Sequence, residues 1–338
     1  MLWSPDTSIA ISYNIKLLLF ITLLYFYGRI IFSFAEKAES IKKMINEYLY
    51  STWIISLIAS LTAIVFGGGT SQRLSIGDIN PIPLGILLSC GLLSAFILLS
   101  NAESNNTRHR YWKFIITLSI FVISYTAIAS NNRGPLISLA ISTVIFIGAR
   151  YKFTNPIPAI KISSLLAIAI AAAYYLLNTY FSEIIERTLY GFSLALNLID
   201  NSSSGNLGES LDIRLDLWES AWKIFSNNPI IGVGAGGYSS LSFFDYPHNL
   251  TLEILSLYGI IGLAFMLTLI AMTIRKFIIG YIYDNLQIIG MGCLLLMTFL
   301  ESQISLAMWM NKHMIVYLAI LSAAIISRHQ WSKGRRND

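Results

Sequence analysis

The sequence predicts an all-α polytopic membrane protein, with about nine transmembrane helices and one large helical loop. Composition is the first reason. Of 338 residues, 55% are hydrophobic and 12% charged, and the mean hydropathy is +0.64. An ordinary soluble domain carries about 25% charged residues. A soluble fold of this size still shows polar groups over much of its exterior, so it could not hide so much apolar surface. Run length is the second reason. The apolar residues gather in stretches near twenty long, which a helix needs to cross a hydrocarbon core about 30 Å thick. Cytosolic enzyme, secreted disulfide scaffold, disordered regulator and nucleic-acid binder are all excluded on these grounds. Cys90 and Cys293 lie in apolar stretches, so neither a disulfide framework nor a zinc site is indicated.

The expected spans run near 10–34, 49–66, 81–100, 111–129, 133–150, 160–180, 250–273, 286–305 and 309–327. The first follows a short polar-leaning segment without a basic stretch or a small-residue cleavage motif, and reads as a retained span. The formal charge is +5, from 23 basic and 18 acidic residues. In a membrane protein such an excess orients the chain. Sixteen of the 23 basic residues fall in one set of alternate connections, around Arg29–Lys43, Arg108–Lys113, Arg150–Lys161, Arg275–Lys276 and Arg328–Arg336. Cationic loops resist translocation, so that side is cytoplasmic. The C-terminus is then inside, and with nine spans the N-terminus is outside. The chain divides into N-terminal helices (1–110), a membrane core (111–327) and a basic tail (328–338).

Residues 181–248 form the large hydrophilic connection, which the charge count places outside. Ile184, Ile185, Thr188, Leu189, Phe192, Leu196 and Ile199 recur at three- and four-residue intervals, which predicts an amphipathic helix. Ser202–Gly205 forms a break. A second helix is expected from about 211 to 226, with Ser210 as N-cap and Asp212 in its positive first turn. Leu211, Leu215, Trp218, Trp222 and Phe225 form its apolar stripe. That face lies either in the headgroup zone or on the loop itself. Arg214 flanks the stripe. Residues 181–247 hold eight acids and three bases, so arginines there act as individuals.

Gly232-Val233-Gly234-Ala235-Gly236-Gly237 matches G-x-G-x-x-G literally. A dinucleotide site would need a preceding strand and a βαβ unit, and neither is expected. The glycines instead predict a turn that lets backbone approach a ligand or another helix. Arg133 sits in Asn131-Asn132-Arg133-Gly134-Pro135, with the proline suited to a first helical turn. The apolar run beyond it is too short to span unless the helix starts near Arg133. The guanidinium then lies at or below the outer surface, facing a cavity or partner, or snorkelling to headgroup phosphates. His248, in Pro247-His248-Asn249, precedes the 250–273 span, which Asn249 or Thr251 would cap. A helix N-terminus favours the neutral imidazole that a general base requires, although a capping or interfacial histidine fits equally. Glu253 would orient His248 or pair with an arginine.

Three stretches together resemble the bacterial O-antigen polymerase and O-antigen ligase superfamily. They are Asn132–Leu136; Arg214–Trp218 with Asn228–Gly234; and Pro247–Glu253 with Tyr258–Gly262. The last is more similar to the polymerase form, as is Glu301–Ser305 with Trp309 and Asn311. Asn132 departs from the Ser or Thr that commonly precedes the first arginine. The chain is also shorter at its N-terminal side than many relatives. The resemblance implies a multispan, GT-C-like glycosyltransferase in the bacterial inner membrane with its active site facing the periplasm. It implies an undecaprenyl pyrophosphate-linked oligosaccharide as donor and another as acceptor, lipid contact, and a chain-length regulator as a candidate partner. Arg133, Arg214 and His248 would line the site. The arginines would bind phosphate oxygens in place of a metal, so neither metal nor cofactor is expected, and His248 would accept the acceptor's proton. Trp218, Trp222, Tyr246, Asn249 and Glu253 complete the expected substrate contacts. A ligase would use the same donor chemistry to reach lipid A-core. A lipid-linked oligosaccharide transporter should show paired halves or ionisable groups near the midplane, and a scaffold would leave Arg133 unexplained.

Overall fold

A computed structural model describes residues 4–33, 38–67, 74, 76, 81–101, 107–151, 209–282 and 285–323. The expected span 160–180, the amphipathic stretch 184–199, the 202–205 break and the basic tail lie outside the described residues. Among the described residues all regular structure is helical. The protein is an all-α polytopic membrane protein.

The helices are α1 (Thr7–Leu17), α2 (Leu23–Ser33), α3 (Ala38–Phe66), α4 (Pro81–Asn101), α5 (Thr107–Ala129) and α6 (Arg133–Tyr151). They continue with α7 (Glu209–Asn227), α8 (Gly237–Leu241), α9 (Leu250–Ile282), α10 (Leu286–Ser302) and α11 (Lys312–Ala323). Five stretches among the described residues are long and apolar enough to cross a membrane: Lys42–Phe66, Ile82–Ser100, Tyr111–Ala129, Arg133–Arg150 and Leu250–Arg275. Leu286–Ser302 and Lys312–Ser322 are shorter apolar helices.

Several boundaries differ from expectation. The first span is not one α-helix, because a π turn at Leu18–Thr22 joins α1 to α2. The second begins at Ala38 rather than 49, since Lys43 and Glu47, one turn apart and 3.9 Å from each other, continue the helix beyond the apolar run. The last two expected spans are trimmed where they approach each other. Leu306 turns the chain at φ 60°, and a 3-10 turn occupies Met308–Met310.

Two compact units divide the chain. One comprises Met1–Glu36, Asn201–Ile278 and Thr298–Asp338; the other comprises Lys37–Asp200 and Ile279–Met297. In the second unit α4 packs on α3, α5 and α6, and α3 also packs on α5. Lipid is as apolar as leucine, so helices in a bilayer associate through small and polar side chains. Ser56 does this for α3. Its hydroxyl donates to the carbonyls of Thr52 and Leu87, each at 2.8 Å, while Gly91 faces it without a side chain. Trp53 donates its indole N–H to the Ser119 hydroxyl at 2.6 Å. Ile54, Ile55, Ile58 and Val65 remain exposed, as a lipid-facing stripe requires. Cys90 and Cys293 are buried free thiols.

In the first unit Asp6 caps α1, accepting from the backbone N–H groups of Ser8 (2.8 Å) and Ile9 (3.1 Å). Tyr13, Ala221, Ile224, Val233, Ala235, Tyr238 and Leu257 form a buried apolar cluster, so α1, α7, α8 and α9 share one core.

Candidate active site

The glycine-rich run is explained by what lies opposite it. At Gly259 the backbone of α9 leaves helical geometry (φ 61°, ψ −155°). An unbroken helix would pair the Ile260 N–H with the Ser256 carbonyl, and Ile261 with Leu257. Here Val233 and Gly234 donate to those two carbonyls, each at 2.9 Å. The N–H groups of Ile260 and Ile261 donate instead to the carbonyls of Pro229 (2.9 Å) and Ile230 (3.3 Å). The loop thus satisfies both partners of these two interrupted bonds. Irregular backbone persists in a membrane-spanning helix only where protein satisfies it. Gly232 (φ 65°) and Gly259 meet at this junction: a Cβ on Gly232 would strike the Leu257 carbonyl group, and one on Gly259 that of Ile230. The turn lets backbone approach another helix, which is one of the two purposes its glycines predicted.

His248 stands directly before α9. Asn249 is the N-cap, its side-chain oxygen accepting from the Leu252 N–H at 2.9 Å. His248 itself is held in the left-handed region at φ 55°. Tyr246 packs on it, with ring centroids 4.4 Å apart. The imidazole is half-buried, and Nδ1 has no hydrogen-bond partner among the described residues. Burial and, secondarily, the positive charge of Arg214 hold His248 below the usual histidine range. A neutral ring near pH 7 follows. Arg214 also acts electrostatically on Tyr246, whose phenol burial pushes up, and on Glu301. Arg214, Tyr246, His248 and Asn249 therefore come together in one unit, although 34 positions separate the arginine from the histidine.

Hydrogen bonds that the sequence did not foretell hold the start of α9 in place. Asn249 Nδ2 donates to the Gln303 carbonyl at 3.0 Å, and the Thr251 hydroxyl donates to Gln303 Oε1 at 2.7 Å. The Glu253 carboxylate accepts from the Tyr13 hydroxyl and from the Met308 N–H, the latter at 2.8 Å. Both Glu253 oxygens thus engage the protein, so the glutamate ties α1 and the 3-10 turn to α9. Lys16 lies 4.7 Å from the centroid of the Trp309 ring, adding a cation–π contact between the same elements. Tyr13 and Gln303 could not be singled out, because each is one polar residue among several: Tyr13 beside Ser12 and Asn14, Gln303 beside Glu301, Ser302 and Ser305.

Helix α7 starts at Glu209, two residues before its expected start, which puts Ser210 inside the helix rather than at its cap. Its buried face is Leu217, Ala221 and Ile224. Tyr238 donates its hydroxyl to the Leu217 carbonyl at 3.1 Å and fastens that face to α8. The expected stripe is offset from this one: Leu215 and Trp222 are exposed, and Trp218 is half-buried. Trp222 packs only tilted against Phe225, at 5.3 Å between centroids.

In the other unit, α6 begins at Arg133, as the length of its apolar run demanded. Pro135 falls in the first turn, where its missing N–H costs nothing. Asn131 is left-handed at φ 51°, and buried Asn132 donates to the Ser130 hydroxyl at 3.3 Å. Gly85 of α4 lies against Asn132, and any Cβ there would strike its amide. Arg133 itself is half-buried.

These features define a class: a multi-pass helical membrane protein in which a loop mends a broken span headed by a half-buried histidine within the electrostatic reach of an arginine. Residues 118–267 match the family model described as O-Antigen ligase, which places this region in the O-antigen ligase and polymerase superfamily. The matched stretch includes Arg133, Arg214, His248 and both junction glycines, and ends before Glu301. The family implies an enzyme of O-antigen assembly that acts on lipid-linked oligosaccharide in a membrane. No curated protein matches the chain.

Proposed function

We propose that the protein is an O-antigen polymerase of the bacterial inner membrane. It would transfer glycan from undecaprenyl pyrophosphate to a hydroxyl of a second lipid-linked repeat unit on the periplasmic side. The observation that carries this reading is a half-buried His248, kept neutral by burial and by the charge of Arg214, at the head of a broken span.

In the reaction, the acceptor hydroxyl attacks the anomeric carbon, the bond from that carbon to the pyrophosphate oxygen breaks, and undecaprenyl pyrophosphate leaves with the electron pair. Single displacement inverts the anomeric centre. Negative charge grows on the departing diphosphate, where fixed cations contribute most. Arg214 serves there with a planar fork matched to phosphate oxygens. Arg133 is assigned to the same leaving group on the resemblance of Asn132–Leu136. His248 takes the acceptor proton, a step typically worth about 10²–10⁴-fold. Tyr246, Trp218 and Trp222 offer faces to sugar rings. Asn249 and Glu253 contribute by holding the helix start that presents His248.

Polymerase is favoured over ligase by the likeness of Pro247–Glu253; the matched family does not distinguish the two. Acceptor choice separates them. Purified protein in liposomes should lengthen lipid-linked repeat units; transfer confined to lipid A-core would make it a ligase.

A further inference from the structure

The turn between α10 and α11 carries polar atoms for which the fold supplies no partner. Glu301 is 2% exposed, Ser305 3% and Asn311 4%. Both carboxylate oxygens of Glu301, the Ser305 hydroxyl and the Asn311 side-chain nitrogen are buried without a hydrogen bond among the described residues. Native proteins leave few such atoms unpaired, and a buried carboxylate without a donor is the costliest of them. Neighbouring groups of the same turn are all employed: Gln303 and Met308 hold Asn249, Thr251 and Glu253. The turn therefore borders the His248 end of α9, and the charge of Arg214 reaches Glu301.

We propose that Glu301, Ser305 and Asn311 form a subsite for sugar hydroxyls of the lipid-linked glycan. This rests on the function proposed above and specifies which part of the substrate meets this turn. The chemistry of the groups selects the ligand. A carboxyl group offers acceptor oxygens and, when protonated, a donor, which suit a pair of adjacent sugar hydroxyls. An amide nitrogen donates to ring or hydroxyl oxygens, and a serine hydroxyl does both. Diphosphate calls for cations, which Arg214 supplies and this turn's unpaired groups do not, so the diphosphate belongs to Arg214 and the neutral polyol to Glu301, Ser305 and Asn311. Hydrogen bonds made away from water are the stronger for it. Entry requires the turn to yield, and Leu306, a non-glycine residue at φ 60°, is its strained point.

The test compares two probes on the full chain in detergent: lipid-linked oligosaccharide extracted from the cells that make the protein, and bare undecaprenyl pyrophosphate. Wild type should bind the glycosylated lipid more tightly. Glu301→Ala, Ser305→Ala and Asn311→Ala should each lower that affinity about 3- to 10-fold, as expected for a lost neutral hydrogen bond. Affinity for bare undecaprenyl pyrophosphate should not fall in any of the three, which also shows them folded. If all three keep the wild-type preference for glycosylated lipid, the subsite is wrong. Equal losses for both probes would make Glu301 a mere counter-ion of Arg214 and overturn it too. A wild type that transfers no glycan defeats the proposed function instead, a result separable from either.

Discussion

Tyr13 donates its hydroxyl to the carboxylate of Glu253 across 240 positions of sequence, joining the first helix to the helix that presents His248. The Met308 N–H holds the other carboxylate oxygen, so three distant segments meet on one buried side chain. Removing the hydroxyl with Tyr13→Phe should cost about 1.5–3 kcal/mol, the usual contribution of a hydrogen bond to a charged acceptor. Thermal unfolding in detergent should show a clearly lower midpoint, and Glu253→Ala should lower it further. An unchanged midpoint in Tyr13→Phe would mean that the bond does not form.

Gly232 and Gly259 should resist any side chain. Each is at positive φ, where an L-residue costs about 1–2 kcal/mol, and each would drive a Cβ into backbone of the other segment. Alanine at either position should therefore destabilise by more than the conformational cost alone and reduce insertion-competent protein. Fluorescence-detected size exclusion of the two variants, compared with wild type, measures this. Normal yield and stability would show that the loop does not mend the break.

The Gln303 side chain acts on the reaction only through Thr251 at the start of α9. Gln303→Ala should lower kcat up to about tenfold with little change in KM, as for the loss of one neutral hydrogen bond. Steady-state rates at varied substrate settle it, and a raised KM with full kcat would instead place Gln303 in substrate binding.

The pH dependence follows from the two causes that depress His248. Burial and the Arg214 cation both disfavour the imidazolium, so its proton leaves below pH 6.5. Activity governed by His248 as base should rise with pH through that lowered value and be flat near neutrality. Arg214→Ala removes one cause and should move the acidic limb upward, towards the ordinary histidine range, in addition to lowering the rate. A limb that stays in place would separate the two residues.

Much of this architecture was legible in the sequence because membrane spans announce themselves by length and polarity. Arg133 is the clearest case: the short run after it dictated where the helix must start. The cap of α9 followed from an equally local rule, which offered Asn249 or Thr251, and Asn249 fills it. Ser210 was misread as a cap, and which apolar face of α7 is buried within the protein could not be read, because apolar residues occur on both sides and a tertiary partner, Tyr238, selects one. The break at Gly259 was hidden for a related reason. A glycine in an apolar run does not reveal that the Pro229–Gly234 loop will take over its hydrogen bonds. Tyr13 and Gln303 owe their roles to contacts between remote segments, which spacing along the chain cannot encode.

The central claim is that His248 and Arg214 move glycan off a lipid diphosphate. Its most direct test is product length from native lipid-linked oligosaccharide in liposomes, run side by side for wild type, His248→Ala and Arg214→Ala. The account predicts lengthened lipid-linked chains from wild type and at least about a hundredfold less from either variant, with both variants folded and inserted. Ladders of equal length and amount from all three proteins would contradict it.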